Sequence, residues 1–527
     1  MTQPELGLAS APGVLLVAAV CLEGASLAIR RVRRGARTPA LTVARWALRP
    51  WAVWAAFNLV FRRYAERGFN NPRTFPFYAN LWRADEGFAD ALRRLAGTPS
   101  VWGWGAVVLG LTAALLALAD RAVRARQNDG SLARPLLCAF LLAAALPLAV
   151  ACLPDGIVSR DRTRGTLLSS WTAQSTMLYT IPHIRSTGDY LRRFTEIQPA
   201  LRRTIHGITH PPGASLSLYW IGRLTGAAGR DIRDAAVRLR YAVGLTVFGA
   251  CNVFLLFLLG RRMFDSGAAG LLAALLWLAS PATGAYASFA QDSLYAVFFN
   301  ASLLLSWTVV TGEERRRLPA LLHGVNFFLL AFLTFSWTIA AAVFAGFLVV
   351  IGLRRDWPLR EYVWRAGLPF AVAAALSAIL LAWSGLDYLA VYRTARAYVA
   401  EWYVFRDAYQ WCMALVGGQV DLWLMMGSVT CSAFLVGTVR AARARPWGEP
   451  AVFLTVILAV YAVPLLFGPA CLKMETSRCW NWIATVPLAF AARELLRREP
   501  AWLFACGALA VSVLSYAGMR LFLNFGA

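Results

Sequence analysis

The sequence predicts an all-α polytopic membrane protein of about 13–14 transmembrane helices, and three observations predict it. Apolar runs of about 18 or more residues, the length that crosses a bilayer, recur along the 527-residue chain. Charged side chains make up only 15% of it, against about 25% in an average soluble domain. A large soluble helical core needs far more polar surface than that. The short connections between runs are alternately rich and poor in arginine, which is the pattern the positive-inside rule requires.

The runs lie at 10–29, 45–61, 102–119, 135–153, 236–260, 266–284, 287–311, 318–334, 336–353, 366–384, 421–439, 449–468, 480–492 and 501–522. The first follows MTQPELG, which has no basic n-region, so it reads as a retained anchor rather than a cleaved signal peptide. The run at 45–61 is the weak member, because it carries Arg45 and Arg49 and falls short of a full span. Whether it crosses or lies at the interface decides the side on which the N-terminus sits. Arginine-rich connections at 30–37, 121–134, 261–262, 315–317, 354–355, 440–445 and 493–498 face the cytoplasm by the same rule. The remaining connections face outward. Two of them, 154–213 and 385–420, are long enough to mark function.

The formal net charge is +24, nearly all of it arginine, and Lys473 is the only lysine. The arginines cluster at the ends of apolar runs, where topology alone puts them, so no nucleic-acid partner is expected. The nine cysteines are scattered, with no CxxC and no zinc spacing. The loop 154–213 mixes Trp171, Tyr179, Tyr190 and Phe194 with Pro182, Pro199, Pro211 and Pro212, which predicts an ordered, docked segment. It also carries Arg160, Arg162, Arg164, Arg185, Arg192, Arg193, Arg202 and Arg203. Long loops are partly exempt from the positive-inside rule. Two readings remain for these arginines: an anionic ligand such as a lipid phosphate, whose oxygens match a guanidinium fork, or contact with anionic headgroups.

Three pieces carry candidate chemistry. The first is GDYLRRFTEIQPALRRTIHGITHPPGASLSLYW, residues 188–220, in which Asp189 is the key acid. Proline suits the first turn of a helix, where its missing N–H is no loss. The stretch His210-Pro211-Pro212-Gly213 therefore turns an extended loop sharply into a helix and fixes His210 at the corner. The second is Asp292, near one end of the run 287–311. A charge in a membrane span marks a functional site unless it merely caps the helix start. The third is Lys473-Met474-Glu475-Thr476-Ser477-Arg478, which reads either as a site or as an interfacial charge cluster. His206 and His210 are four apart, but no third ligand is evident and Pro211 interrupts the helix, so no cofactor or divalent metal is assigned. In the loop 385–420, Tyr388, Tyr392, Tyr398, Trp402, Tyr403, Tyr409 and Trp411 alternate with Arg393, Arg396 and Arg406. Such faces suit sugar rings or an isoprenoid tail, or form the aromatic belt of an interfacial helix.

These pieces, in this order, resemble the GT-C glycosyltransferases, membrane enzymes that use polyprenyl-phosphate sugars, and most nearly the protein O-mannosyltransferase and aminoarabinose-transferase branch. The likeness rests on Asp189-Tyr190 leading to His210-Pro211-Pro212-Gly213, on Tyr286 to Asp292, and on METSRCWNWIATVP with Glu475, Arg478 and Pro487. It covers about residues 135–500. It implies a GT-C-like catalytic region at 131–527, with a helical extracytoplasmic first loop, behind an N-terminal membrane extension at 1–130 of about two or three helices. It further implies an inverting hexosyl- or pentosyltransferase in a bacterial inner membrane, with its site facing out of the cytoplasm. The donor is a polyprenyl-phosphate sugar, and the acceptor is a glycan, lipid or protein. Asp189 is then the base. Lys473, Arg478, Arg192 and Arg193 bind the donor phosphate. Tyr190, His210, Asp292 and Glu475 position donor and acceptor. The chain departs from the pattern where relatives carry two adjacent acids: Asp189 is followed by Tyr190, and the next acid is Glu196. The tryptophan-tryptophan-aspartate hallmark of oligosaccharyltransferases is absent, which argues against en-bloc transfer to asparagine. Two rival readings are a polymerase or ligase using diphosphate-linked donors and a flippase. The flippase predicts internal repeats and mid-membrane charges, which the sequence does not display.

Overall fold

The computed structural model describes residues 38–65, 97, 99–125, 132–153, 176–203, 205–231, 234–287, 291–313, 317–402, 405, 408–468 and 481–522. Every apolar run that falls on these residues is helical. Among the described residues, seven helices are long and apolar enough to cross a membrane: Val101–Ala125, Ala133–Ala151, Ala236–Phe264, Asp292–Thr311, Trp337–Arg354, Leu359–Ser384 and Glu449–Phe467. Shorter apolar helices at Gly267–Ala279, Arg317–Leu333 and Ala501–Ala517 pack among them. The run at 10–29 lies outside the described residues. The run at 45–61 falls in α1 (Pro39–Ala65), which has Pro50 in its interior and is not one of the seven.

The bundle is layered by how much each helix is buried. Helix α9 (Gly267–Ala279) is buried at every position from Ala268 to Ala279, so it sits at the centre, as a helix apolar all round must. It packs antiparallel to α8 (Asn252–Phe264) through Gly260 and Gly270, where an added Cβ on Gly270 would strike the backbone of Phe257. Small residues let helix backbones approach in this way. Of the spans, α11 (Asp292–Thr311) is 67% buried, whereas α14 (Leu359–Ser384) is 6% buried and forms the rim. Three interior polar groups of this core are joined into a chain. The Thr485 hydroxyl donates to Asn300 Oδ1 at 2.7 Å, Asn300 Nδ2 donates to Asn252 Oδ1 at 2.7 Å, and Asn252 Nδ2 donates to the Gly249 carbonyl at 2.9 Å. Asn252 thereby satisfies backbone at the break between α7 (Ala235–Ala250) and α8. At the far end of α11 the buried Arg365 donates to the carbonyls of Val309 and Gly312, closing a helix terminus that would otherwise lack partners.

The apolar run at 421–439 is not one straight span. Helix α16 (Ala408–Met425) and α17 (Ser428–Arg443) meet at 102°. The break falls at Gly427, whose φ of 101° belongs to glycine, and whose missing side chain leaves room for Ser512.

A second, smaller core stands apart from the bundle interior. It joins Ile184, Tyr190, Leu191, Phe194, Ile197, Leu201 and Leu216 to Leu386 and Val391. This cap is built by 3₁₀ turns at Thr176–His183 and Leu201–Arg203, and by α4 (Thr187–Ala200), α5 (Ile205–Thr209), α6 (Pro212–Thr225) and α15 (Tyr388–Trp402). The described part of the first long loop is therefore helical and docked, as the prolines and aromatics predict. Residues 154–175 lie outside the described set.

Candidate functional site

Helix α4 presents the candidate acid. Its N-cap is Ser186, in extended conformation, whose hydroxyl accepts from the Asp189 N–H at 3.2 Å. Tyr190, Leu191, Phe194, Ile197 and Gln198 then fall on one face and are buried, while Arg192, Arg193 and Glu196 are exposed. This spacing leaves Asp189 at the boundary between core and solvent. Its side chain is 36% exposed, yet Oδ2 is shielded from water and accepts no hydrogen bond. Arg193 Nη1 is 3.6 Å from that oxygen, an ion pair beyond hydrogen-bond length. Tyr190 beside it is wholly buried, edge-on to Phe194 at 5.3 Å. Burial pushes its phenol up to about 12, against the opposing pull of the Ser215 and Thr180 hydroxyls. It is therefore a neutral packing group at any physiological pH.

The corner predicted at His210 is present. Pro211 (φ −63°, ψ 163°) is the N-cap of α6 and Pro212 is its first residue. The segment before it is the short helix α5 rather than extended chain. His210 Nδ1 lies 3.0 Å from the Thr209 hydroxyl, and its ring stacks on Tyr295 at 5.8 Å. Gly213 has no room for a side chain, because a Cβ there would clash with the Phe332 carbonyl. Gln291 Nε2 donates to the Ala214 carbonyl at 2.8 Å and Oε1 accepts from the Tyr295 hydroxyl at 3.3 Å. Gln291 immediately precedes Asp292, the first residue of α11. The first turn of α6 is thus the junction of the site: Ser215 meets Tyr190 of α4, and Ala214 meets the α11 start.

Two stretches far apart in sequence close the cap. Gln198 Nε2 donates to the Ile208 carbonyl at 2.8 Å and to the Val391 carbonyl at 3.1 Å. Arg202 pairs with Glu401. A position next to Asp189 faces α14, where a Cβ on Gly188 would lie 3.5 Å from the Trp383 ring. The Trp220 indole N–H donates to the Thr187 hydroxyl at 3.3 Å, and both tryptophans are exposed. A cavity of about 580 Å³ opens beside α15, lined by Phe335, Trp337, Leu381, Asp387, Tyr388 and Tyr392 among others. The Tyr388 hydroxyl donates to the Ala331 carbonyl at 2.7 Å, and burial raises its phenol far above the ordinary value.

Of the sequence-predicted residues, Asp189, Tyr190, Arg192, Arg193, His210 and Asp292 are placed by the structure, and α6 links those of α4 to that of α11. Lys473, Glu475 and Arg478 lie outside the described residues, as does the side chain of His206. Gln291, Tyr295, Trp220 and Trp383 are additions. Only Gln291 and Tyr295 carried a sequence signal, through their place beside Asp292 in SFAQDSLY.

Helices of this length and apolarity, with a rim span of which only 6% is buried, define an integral membrane protein of all-α fold. No protein-family model matches the chain, and no curated protein matches it. Among solved structures it is similar to the apo form of the Archaeoglobus fulgidus oligosaccharyltransferase, with a TM-score of 0.49 and 11% identity. The match covers 74% of this chain and 56% of that one.

Proposed function

We propose that the protein is a glycosyltransferase that moves a sugar from a polyprenyl-phosphate donor to an acceptor hydroxyl at the extracytoplasmic face of a bacterial inner membrane. The observation that carries the reading is Asp189 Oδ2, a carboxylate oxygen turned away from water with no hydrogen-bond donor on it. An unsatisfied acceptor of that kind is costly and calls for a partner. An acceptor hydroxyl is such a partner.

In this mechanism Asp189 accepts the hydroxyl proton as the acceptor oxygen attacks the anomeric carbon. The bond from that carbon to the phosphate oxygen breaks, and the lipid phosphate leaves with the electron pair and inversion at carbon. A positioned base contributes about 10²- to 10⁴-fold. Cations meet the charge that builds on the phosphate. Arg192 and Arg193, one turn on from Asp189, take that role with Lys473 and Arg478. Tyr190 anchors the helix that carries Asp189. His210 and Asp292 hold the α6 and α11 starts in register, and Glu475 completes the acceptor side.

The test uses membranes that contain or lack the protein, supplied with labelled polyprenyl-phosphate sugars. Transfer of label only where the protein is present is the expected result. Transfer from diphosphate-linked donors alone would reassign the protein to the polymerase or ligase class. Loss of the gene should also lead to build-up of lipid-linked sugar.

A further inference from the structure

Where α1, α17 and α20 (Ala501–Phe522) meet, a cavity of about 300 Å³ is lined by Pro39, Thr42, Arg440, Arg497, Arg498, Glu499 and Phe504. It lies on arginine-rich connections, whereas the candidate active site lies on the two long loops. Its charge is organised. Glu494, in α19 (Thr485–Leu496), is 1% exposed and is held by Arg440 Nη1 at 3.0 Å and by Arg498 Nε at 2.9 Å. Each of these arginines keeps further N–H donors free of Glu494. Arg497 is exposed and, among the described residues, pairs with no carboxylate. Three guanidiniums against Glu494 and Glu499 leave the cavity positive.

Two helices also begin at this cavity. Pro39 and Thr42 belong to the first turn of α1, and Phe504 to the first turn of α20. Part of the remaining wall is apolar, beside Thr42 and Glu499. Pro39 and Phe504 line the cavity, and Trp46 lies under the Arg498 guanidinium at 5.2 Å. A soluble anion has no use for such walls, but the glycerol and first methylenes of a lipid do.

We infer that this cavity binds the phosphate of an anionic membrane lipid, with Arg497 as the free cation and Arg440 and Arg498 as oriented donors. The site goes beyond the transfer reaction and does not depend on it. It ties α1 and α20 to α17 through a ligand, where basic pockets between membrane helices hold lipid headgroups.

The test uses the full chain in nonionic detergent, titrated with dioleoylphosphatidylglycerol, with dioleoylphosphatidylcholine, or with inorganic phosphate, and read by native mass spectrometry and by melting temperature. Arg497 is the position to change, because removing Arg440 or Arg498 would expose the buried Glu494 to loss of its partners. Phosphatidylglycerol should bind and raise the melting temperature. Arg497→Glu should weaken that binding at least about tenfold, as loss of a charge-assisted contact does. Arg497→Lys should retain most of it, and Arg360→Ala, an exposed arginine elsewhere, should leave it within about twofold. Equal binding of phosphatidylcholine, or unchanged phosphatidylglycerol binding in Arg497→Glu, would overturn the site. A shift reproduced by inorganic phosphate alone would overturn the lipid as its ligand.

Discussion

Asp189 in the cap and Glu494 in the bundle are both carboxylates near a helix end, and they differ in burial and in how closely arginines hold them. Glu494 is buried between two arginines: Oε1 accepts from Arg498 Nε at 2.9 Å, and Oε2 lies 3.0 Å from Arg440 Nη1 in an ion pair without hydrogen-bond geometry. Asp189 is half-exposed, with one arginine at 3.6 Å and an inward oxygen that nothing donates to. A carboxylate enclosed between two arginines braces structure, because its charge is already balanced. One that is oriented by its helix but left unbonded is ready to accept a proton from something else. The cores around them differ in the same sense. The bundle interior links Asn252, Asn300 and Thr485 into a continuous chain, while the cap is a small apolar cluster with its charges on the outside.

The largest effect that would test this contrast is on turnover. Asp189→Asn keeps the shape and should leave melting temperature and donor binding nearly unchanged, while sugar transfer falls by at least about a hundredfold. Transfer within a few-fold of the parent would remove Asp189 from the chemistry. Asp292→Asn should cost less, as a positioning residue; a larger loss there would move the base to the start of α11. Next in size is Phe194→Ala, which empties the centre of the cap and should cost about 3–5 kcal/mol of local stability. Limited proteolysis should then cut within residues 176–225 while the bundle helices stay protected. Cleavage spread evenly over both regions would deny the cap its own core.

Glu494→Gln sharpens the comparison from the other side. It removes the charge that holds Arg440 and Arg498, and should cost about 1–3 kcal/mol by thermal unfolding. Specific activity per folded molecule should be unaltered. A selective loss of turnover would make the two carboxylates alike. The smallest effect is expected for Arg202→Ala. It breaks an exposed pair with Glu401, so the change in melting should correspond to less than about 1 kcal/mol.

Much of this was legible in the sequence, for reasons that differ by element. Run length and arginine placement gave the helices, because bilayer thickness and topology act on one stretch of chain at a time. The break at Gly427 escaped, since the run 421–439 is apolar across it and the close approach of Ser512 to Gly427 is a tertiary contact. The amphipathic face of α4 and the corner at Pro211-Pro212 were readable because both are local. Gln291 escaped as a brace because its partner, Ala214, is 77 residues away. The spacing of Asp189 and Arg193 allowed a pair but did not fix its length. That length separates a brace from a base. In the loop 385–420, aromatic content was visible, but its docking against Tyr190 and Phe194 depends on a fold that no local pattern encodes.

The bond from Gln198 to the Val391 carbonyl spans 193 residues. It therefore sets a clock on biogenesis. At about 5–20 residues per second, the ribosome takes roughly 10–40 seconds to deliver Leu386 and Val391 after α4 has been made. For that interval Tyr190, Phe194 and Ile197 lack the cover of Leu386 and Val391, while several membrane helices are inserted in between. A nascent chain stalled before Leu386 holds an apolar cap face that a chaperone or a protease can recognise, and release past Val391 withdraws it.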